Sequence, residues 1–164
     1  MDNQLTTERL LLSSLQLDDA VFIYELVNTP QWIKNIGDRN IKSYTDAQNY
    51  ITKLTSAPDY YIWTVKLLED KEHIGIITYL KKDYLDYPDI GFAFLPSVYG
   101  KGYAFEATHK VMEMLKKHNI RHISAVTILE NERSIQLLKR LGFKESKTIF
   151  KDGEELLYFL YSAE

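Results

Sequence analysis

The sequence predicts one α+β domain with a mixed, mostly antiparallel central sheet flanked by helices. Helical patterns come first, two apolar runs joined by a charged turn follow, and a strand–helix–strand unit comes after them. The charged turn predicts an antiparallel hairpin, whereas the helix between the later strands predicts a right-handed parallel crossover. The 164 residues contain no linker or composition break, so residues 1–164 are predicted to form a single domain.

Composition excludes several classes of protein. There are 20 basic and 23 acidic residues, a net charge of −3 and no basic run, which argues against nucleic acid or membranes as partners. The absence of cysteine excludes disulfides, thiolate zinc sites and a cysteine nucleophile, and the histidines have no metal-ligand spacing. No apolar run reaches membrane length and the N-terminus is polar, so we expect a cytoplasmic protein, either a monomer or a homodimer.

The first half is predicted to contain one strand and three helices. The strand covers residues 5–12, and the helices cover residues 17–27, 29–32 and 43–54. Two aspartates lie in the first turn of the first helix, where negative charge is favourable. Thr29 and Pro30 are typical of an N-cap and first helical position, and Ser43 with Asp46 approximates a capping box.

The second half is predicted to alternate strands with two helices. Strands are expected at residues 60–68, 74–80, 89–96, 122–128, 143–150 and 156–161. Between them, an apolar face over residues 104–115 predicts a long amphipathic helix, and a shorter helix over residues 132–141 ends before Gly142.

A glycine-containing loop joins the central strand to the long helix. It reads Tyr99-Gly100-Lys101-Gly102-Tyr103-Ala104. The first N–H groups of a helix have no internal partner, and glycines let the backbone approach an anion closely. The spacing fits neither GxxxxGK[ST] nor GxGxxG. The loop therefore indicates either an anion site or an ordinary strand-to-helix turn.

This loop resembles motif A of the GNAT superfamily, the acyl-CoA-dependent N-acetyltransferases, which reads [QR]-x-x-G-x-[GA]. Tyr99 replaces the Gln or Arg, as in the branch that resembles the ribosomal-protein N-terminal alanine and serine acetyltransferases. The segment NERSIQLLKRLGF resembles motif B, N-x-x-[SA]-x-x-L-[YL]-x-x-x-G-F. TTERLLL, WIKNIGDRN and DIGFAFL also look familiar in their order and spacing, so the resemblance covers nearly the whole chain.

The resemblance implies acetyl-CoA as cosubstrate, with no metal. It implies that the pyrophosphate binds to Tyr99, Gly100, Lys101, Gly102, Tyr103 and Ala104. It also implies a bulge that parts the central strand from its neighbour, so that pantetheine pairs with the backbone of Phe92, Ala93 and Phe94. These are otherwise ordinary strand residues. Asn131 of motif B is implied to contact the coenzyme or to order the chain beside it; the alternative is a plain helix N-cap, and the two roles are compatible.

Acid–base residues are less clearly marked. Many relatives carry a tyrosine acid where this chain has Leu138, and Ser134 lies one turn earlier on the same helix face. Ser134 resembles the serine proposed for this role in the ribosomal-protein branch; the alternative is a solvated helix serine. Asp89 is the best-placed carboxylate for a general base, and its alternative is a solvated acid at a strand end.

The acceptor end is expected to be built by residues 32–40 and 81–88, which flank the cleft in relatives. Asp38 and Arg39 could bind a polar acceptor or pair with each other across a tight turn, and the pairing is the prediction. Four aromatic residues are expected around the cleft: Trp32, Tyr79, Tyr84 and Tyr87. These aromatic side chains suit a small amine or a peptide N-terminus equally.

Three functions follow from the sequence. The first is an acetyl-CoA-dependent N-acetyltransferase acting on a primary amine by direct attack. The second is a catalytically silent acyl-CoA-binding module, suggested by Leu138 and the unassigned base. The third is a nucleotide-phosphate-binding protein that uses the same loop.

Overall fold

An eight-stranded sheet forms the centre of the fold. The computed structural model describes residues 1–163, and the spatial order of the strands is β1-β2-β3-β4-β5-β6-β8-β7. The strands are β1 (Gln4–Thr6), β2 (Leu10–Ser14), β3 (Tyr60–Leu67), β4 (His73–Leu80), β5 (Asp89–Phe94), β6 (His122–Ile128), β7 (Lys144–Lys151) and β8 (Glu154–Ser162). This confirms the predicted mixed, mostly antiparallel sheet.

Helices cover both faces of the sheet. They are α1 (Ala20–Val27), α2 (Pro30–Asn35), α3 (Tyr44–Thr55), α4 (Tyr103–Lys117) and α5 (Glu132–Arg140), with 3₁₀ turns at Leu17–Asp19 and Pro96–Val98. One apolar core includes residues of α4 and α5, and a second includes residues of α1, α2 and α3. No helix within residues 1–163 is long and apolar enough to cross a membrane.

Two of the predicted helix starts have the expected caps. The hydroxyl of Thr29 accepts a hydrogen bond from the N–H of Trp32 at 3.2 Å, and Pro30 occupies the first turn of α2. The hydroxyl of Ser43 accepts from the N–H of Asp46 at 3.1 Å at the start of α3. These side chains satisfy donors that would otherwise have no intrahelical partner.

β5 and β6 diverge and leave an opening in the sheet. They are the only parallel neighbours among the described strands, and their register consists of one pair, Asp89↔Ser124. Beyond that pair, β5 stays bonded to β4 and β6 stays bonded to β8. The two halves of the sheet therefore separate towards the ends of β5 and β6, where α4 and α5 begin.

The predicted bulge in the central strand is not present in its pairing with β4. β5 keeps an unbroken register with β4 from Gly75↔Phe94 to Leu80↔Asp89. The opening comes instead from the divergence of β5 and β6, because each is held by an antiparallel neighbour on its other side.

The prediction of a single strand over residues 5–12 is also wrong, because this segment forms a tight hairpin of two strands. β1 and β2 pair with each other around a turn in which the N–H of Leu10 donates to the hydroxyl of Thr7 at 3.0 Å. The N–H of Thr7 donates to the carbonyl of Leu10 at 2.9 Å. The polar residues Thr7, Glu8 and Arg9 close this turn, which brings Arg9 towards α4.

Candidate active site

A cleft of about 1660 Å³ runs through the opening between β5 and β6. All of the site residues predicted from the sequence line it: Asp89, Phe92, Ala93, Phe94, Tyr99, Gly100, Lys101, Gly102, Tyr103, Ala104, Asn131 and Ser134. At one end the wall is the glycine loop before α4, and at the other it is α2 with the β4–β5 loop. The divergence of the two strands therefore places the predicted residues around one continuous space.

The glycine loop presents a row of free backbone donors. Gly100 and Gly102 have φ of 78° and 82°, a region that favours glycine, and Gly102 is the N-cap of α4. Within residues 1–163, the N–H groups of residues 100–105 have no acceptor, and the first helical bond runs from Glu106 to Gly102 at 3.1 Å. Such donors at the positive end of a helix form an anion-binding site.

A cation–π contact joins this loop to α5. The guanidinium carbon of Arg133 lies 3.7 Å from the centre of the Tyr99 ring. Burial raises the pKa of Tyr99, and the positive charge of Arg133 offsets only part of that rise. Tyr99 therefore remains a neutral phenol at physiological pH, and the contact holds the loop close to α5.

The start of α5 carries the two predicted motif B residues. The side-chain oxygen of Asn131 accepts a hydrogen bond from the N–H of Ser134 at 3.2 Å, so the predicted N-cap role of Asn131 is confirmed. Ser134 is half-buried, and within the described chain its hydroxyl makes no hydrogen bond. Leu138, one turn later, lines the same cleft and is 1% exposed.

Asp89 lies where β5 and β6 separate, and it is 3% exposed. One carboxylate oxygen, Oδ2, lies 2.7 Å from Nζ of Lys82. The other, Oδ1, is buried and has no partner within residues 1–163. The alternative of a solvated strand-end acid is therefore wrong.

The two members of this ion pair have shifted pKa values. Burial raises the pKa of Asp89, and the charge and hydrogen bond of Lys82, together with the backbone N–H of Val126, counter only part of the effect. Burial by itself would lower the pKa of Lys82, but the Asp89 carboxylate and the Tyr84 phenol together outweigh it and the net shift is upward. A buried carboxylate with a free oxygen is a proton acceptor whose pKa lies nearer to neutral pH than that of an exposed aspartate.

At the predicted acceptor end, the ion pair expected between Asp38 and Arg39 does not form. Oδ1 of Asp38 accepts from the N–H of Asn40 at 2.7 Å, which satisfies the carboxylate within its own turn. Arg39 lines the cleft, is exposed and forms no ion pair within residues 1–163, so the predicted Asp38–Arg39 pair is wrong. Lys34 likewise lines the cleft and is exposed.

Two of the four predicted aromatic residues lie at the acceptor end. Trp32 and Tyr84 line the cleft, and the indole N–H of Trp32 closes the turn after α2 by donating to the carbonyl of Gly37 at 3.1 Å. Tyr79 is instead buried in the core, and burial raises its pKa to about 12. Tyr87 contacts His122 outside the cleft lining, with ring centres 4.8 Å apart.

Sequence reasoning missed the residues that support the site from outside the motifs. Lys82 lies in the segment 81–88 predicted for the acceptor end, but nothing in the sequence marks it as the ion-pair partner of Asp89. Arg133 lies within motif B, but no periodic pattern in the sequence predicts its contact with Tyr99. Arg9 lies in the segment 5–12 predicted as one strand, and the polar residues around it are the sign in the sequence of the turn.

Comparisons with known proteins identify the class as the acetyltransferases. The model described as "Acetyltransferase (GNAT) domain" matches residues 9–144. The chain therefore belongs to the GNAT family of acetyltransferases.

Two bacterial relatives illustrate the similarity in sequence. The chain is 28% identical over 141 residues to the uncharacterized N-acetyltransferase YnaD of Bacillus subtilis, covering 85% of this chain and 82% of the relative. It is 28% identical over 159 residues to the uncharacterized N-acetyltransferase p20 of Bacillus licheniformis, covering 92% and 87%.

Solved structures show the same fold at low sequence identity. A GNAT-family acetyltransferase from Bacillus anthracis superimposes with a TM-score of 0.81 at 23% identity, covering 97% of this chain and 98% of that one. The ribosomal-protein-S5-alanine acetyltransferase from Vibrio fischeri has a TM-score of 0.81 at 19% identity, with coverage of 98% and 97%. The ribosomal L7/L12 α-N-protein acetyltransferase RimL, solved with coenzyme A, has a TM-score of 0.81 at 12% identity, with 95% of each chain covered.

Proposed function

We propose that this protein transfers an acetyl group from acetyl-CoA to a primary amine on a small molecule or a peptide N-terminus. The observation that carries the proposal is the row of unpaired N–H groups at residues 100–105, which opens into the cleft. Lys101 adds positive charge to the same loop. This donor set fits a pyrophosphate, and the strand opening beside it has room for an extended arm.

The rest of the coenzyme site follows from the open edge of β5. Beyond Asp89↔Ser124, no described strand pairs with that edge. Backbone groups alternate along a strand, so those of Phe92 and Phe94 face the opening and are available to the pantetheine arm, whereas Ala93 pairs with Ile76 of β4. Asn131 uses its side-chain oxygen as a cap, which leaves its amide N–H₂ for the coenzyme.

The reaction that we propose is a direct transfer. The acceptor nitrogen attacks the thioester carbonyl, a C–N bond forms, the C–S bond breaks, and the sulfur leaves as a thiolate that takes up a proton. An ammonium acceptor must first lose a proton, since its pKa is about 10. We assign that proton to Asp89, whose Oδ1 is free, and we assign the positioning or protonation of the departing sulfur to Ser134.

Charge at the acceptor end favours an acceptor that carries an anionic group near its amine. Lys34 and Arg39 line this end without ion pairs in the described chain, whereas the β7–β8 hairpin contributes one unpaired acid, Glu154 at the start of β8. Lys82 and Lys151 are already paired, with Asp89 and Asp152. These two unpaired cations disfavour a polyamine, in contrast to the spermidine N-acetyltransferase chimera that shares the fold at 18% identity and a TM-score of 0.77.

The test is a panel of amines incubated with acetyl-CoA while free thiol is measured. We expect thiol release with at least one primary amine, and faster release with peptides that carry an early Asp or Glu than with spermidine. Binding of acetyl-CoA without thiol release from any amine would favour the silent binding module. A thermal shift with ATP but none with acetyl-CoA would favour a nucleotide-binding protein.

A further inference from the structure

We infer that Arg9 is a positioning residue that holds the Lys101–Gly102 peptide in the orientation needed to bind the pyrophosphate. The inference rests on the proposed function of the glycine loop. Arg9 lies in the β1–β2 turn, 92 residues before Lys101, and it acts through the backbone of the loop.

The side chain of Arg9 is itself fixed by Glu106 in the first turn of α4. Nε of Arg9 donates to Oε2 of Glu106 at 2.7 Å, and Nη2 lies 2.6 Å from the same oxygen. The N–H of Arg9 and the hydroxyl of Thr7 donate to Oε1 at 3.0 and 2.6 Å. Both carboxylate oxygens are therefore occupied, and charge-assisted bonds of this kind are the strong ones.

The remaining nitrogen of the guanidinium reaches the loop. Nη1 of Arg9 donates to the carbonyl oxygen of Lys101 at 2.9 Å. In a planar trans peptide the carbonyl of one residue and the N–H of the next point in opposite directions. A carbonyl of Lys101 held by Arg9 therefore aims the N–H of Gly102 away from Arg9.

The direction away from Arg9 is the direction of the cleft. Gly102 lines both the main cleft and a smaller hollow of about 500 Å³ on the outside of α4. Arg9 lines only the outer hollow, and its guanidinium also lies 4.4 Å from the centre of the Tyr103 ring. Arg9 therefore holds the Lys101 carbonyl from the side of the outer hollow, and the N–H of Gly102 on the opposite side of the same peptide faces the cleft.

The loop requires such a restraint because glycines stand on both sides of Lys101. Gly100 and Gly102 adopt positive φ, and neither has a side chain that would oppose rotation of the intervening peptide. α4 also has no side-chain N-cap. A rotated peptide would turn the carbonyl of Lys101 towards the phosphate, which exchanges a donor for a repulsive acceptor.

Arg9→Lys tests the inference because lysine keeps the charge but loses the planar fork. Arg121→Lys is the matched control, since Arg121 is exposed and its side chain contacts neither the loop nor the cleft. Each protein is assayed with acetyl-CoA and with S-acetyl-pantetheine, which has the same thioester and no pyrophosphate. Calorimetric titration with CoA gives a readout that does not depend on turnover.

We expect Arg9→Lys to lower kcat/KM for acetyl-CoA and CoA affinity by roughly tenfold or more, as the loss of a charge-assisted hydrogen bond implies. The value for acetyl-pantetheine should stay within about twofold of wild type, because this substrate does not reach the loop. Glu106→Gln is a second variant, and it should shift the ratio of the two values in the same direction.

Other outcomes would overturn the inference in distinguishable ways. Equal losses with both thioesters, or no loss with either, would mean that Arg9 serves only the fold. A wild-type protein that used both thioesters equally well would remove the pyrophosphate role of the loop and the role of Arg9 with it, while acetyl transfer would stand. A wild-type protein that bound no CoA would remove the proposed function itself.

Discussion

The two ends of the cleft are built in different ways. At the proposed coenzyme end, Arg9 binds the carbonyl of Lys101 and is itself fixed by Glu106, and Arg133 contacts the ring of Tyr99 at the start of the glycine loop. At the acceptor end, Lys34 and Arg39 are exposed and have no ion pair in residues 1–163. Under the proposed function, the coenzyme end is thus organised before its ligand binds, whereas side chains at the acceptor end must be ordered by theirs.

This difference has an energetic consequence. Ordering a long, flexible side chain on binding costs about 0.5–1.5 kcal/mol, whereas a backbone donor that is already fixed avoids that cost. A single coenzyme can be bound by a fixed frame, while the acceptor end can adapt to different amines. Changes at the loop should therefore alter coenzyme binding, changes at the acceptor end should alter acceptor choice, and changes between them should alter the rate.

The largest effect is expected at Asp89, between the two ends. Asp89→Asn removes the proposed base, and loss of such a group commonly costs about 10²–10⁴-fold in rate. The wild-type base works when ionised, so kcat/KM should fall as pH drops through the pKa of Asp89, which burial raises. The variant should lose that pH dependence, which is measured as thiol release from pH 4 upwards, roughly where an ordinary aspartate titrates.

Asp86→Asn is the matched control for this change. Asp86 lies three residues earlier, in the β4–β5 loop, is exposed and pairs with Lys147 at 3.2 Å, so its loss should leave the pH profile unaltered. An Asp89→Asn protein with the wild-type profile would exclude Asp89 as the base.

A smaller effect, on binding rather than rate, is expected at Gly102. Gly102→Val places a β-branched residue at φ 82°, which costs about 1–3 kcal/mol of strain or displaces the loop. A new Cβ would lie 3.4 Å from Nη2 of Arg9, an ordinary contact, so the expected damage comes from the backbone. We expect CoA affinity to fall by roughly 100-fold in calorimetric titration, from strain and lost backbone donors together.

Gly153→Val is the control that separates the effect of backbone strain from the loss of the binding loop. Gly153 has φ of 80° at the β7–β8 turn, and a Cβ there would meet nothing within 4 Å. This variant should lose a similar amount of stability and keep its CoA affinity. If folded Gly102→Val bound CoA as tightly as wild type, the loop would not be the pyrophosphate site.

The same contrast explains which features were predictable from the sequence. The glycine loop and the start of α4 are adjacent in the chain, so local rules for turns and helix ends locate them. Arg9 and Glu106 are 97 residues apart, and periodicity reports the face of a residue rather than its distant partner.

Two wrong predictions, the single strand over residues 5–12 and the bulge in the central strand, have the same cause: both features depend on how strands pair. Residues 5–12 alternate too weakly to show that a turn of three polar residues divides them into two strands. The bulge was expected from the resemblance to the family, but the opening is a property of how β5 and β6 pair with their other neighbours. Burial of Asp89 and its ion pair with Lys82 likewise depend on strand register, which a single sequence does not show.

The smallest effect is expected at Ser134, and the structure makes this test a clean one. Its backbone N–H, not its hydroxyl, binds the cap residue Asn131, so Ser134→Ala keeps the hydrogen bond that starts α5. Alanine also favours a helix, so the melting temperature should change little. If the hydroxyl assists the departing thiolate only as the C–S bond breaks, kcat and kcat/KM should fall together while CoA affinity stays constant. The fall should be at most about 100-fold, because serine is a weak acid. The measurement is steady-state thiol release beside calorimetric titration, under conditions in which chemistry limits the rate.

Leu138→Tyr should not rescue the variant, because Leu138 is 1% exposed and the larger ring has to displace the core. A Ser134→Ala protein with unchanged kcat would remove the hydroxyl from the mechanism and leave Asp89 as the one side chain between the two ends with a proposed role in proton transfer.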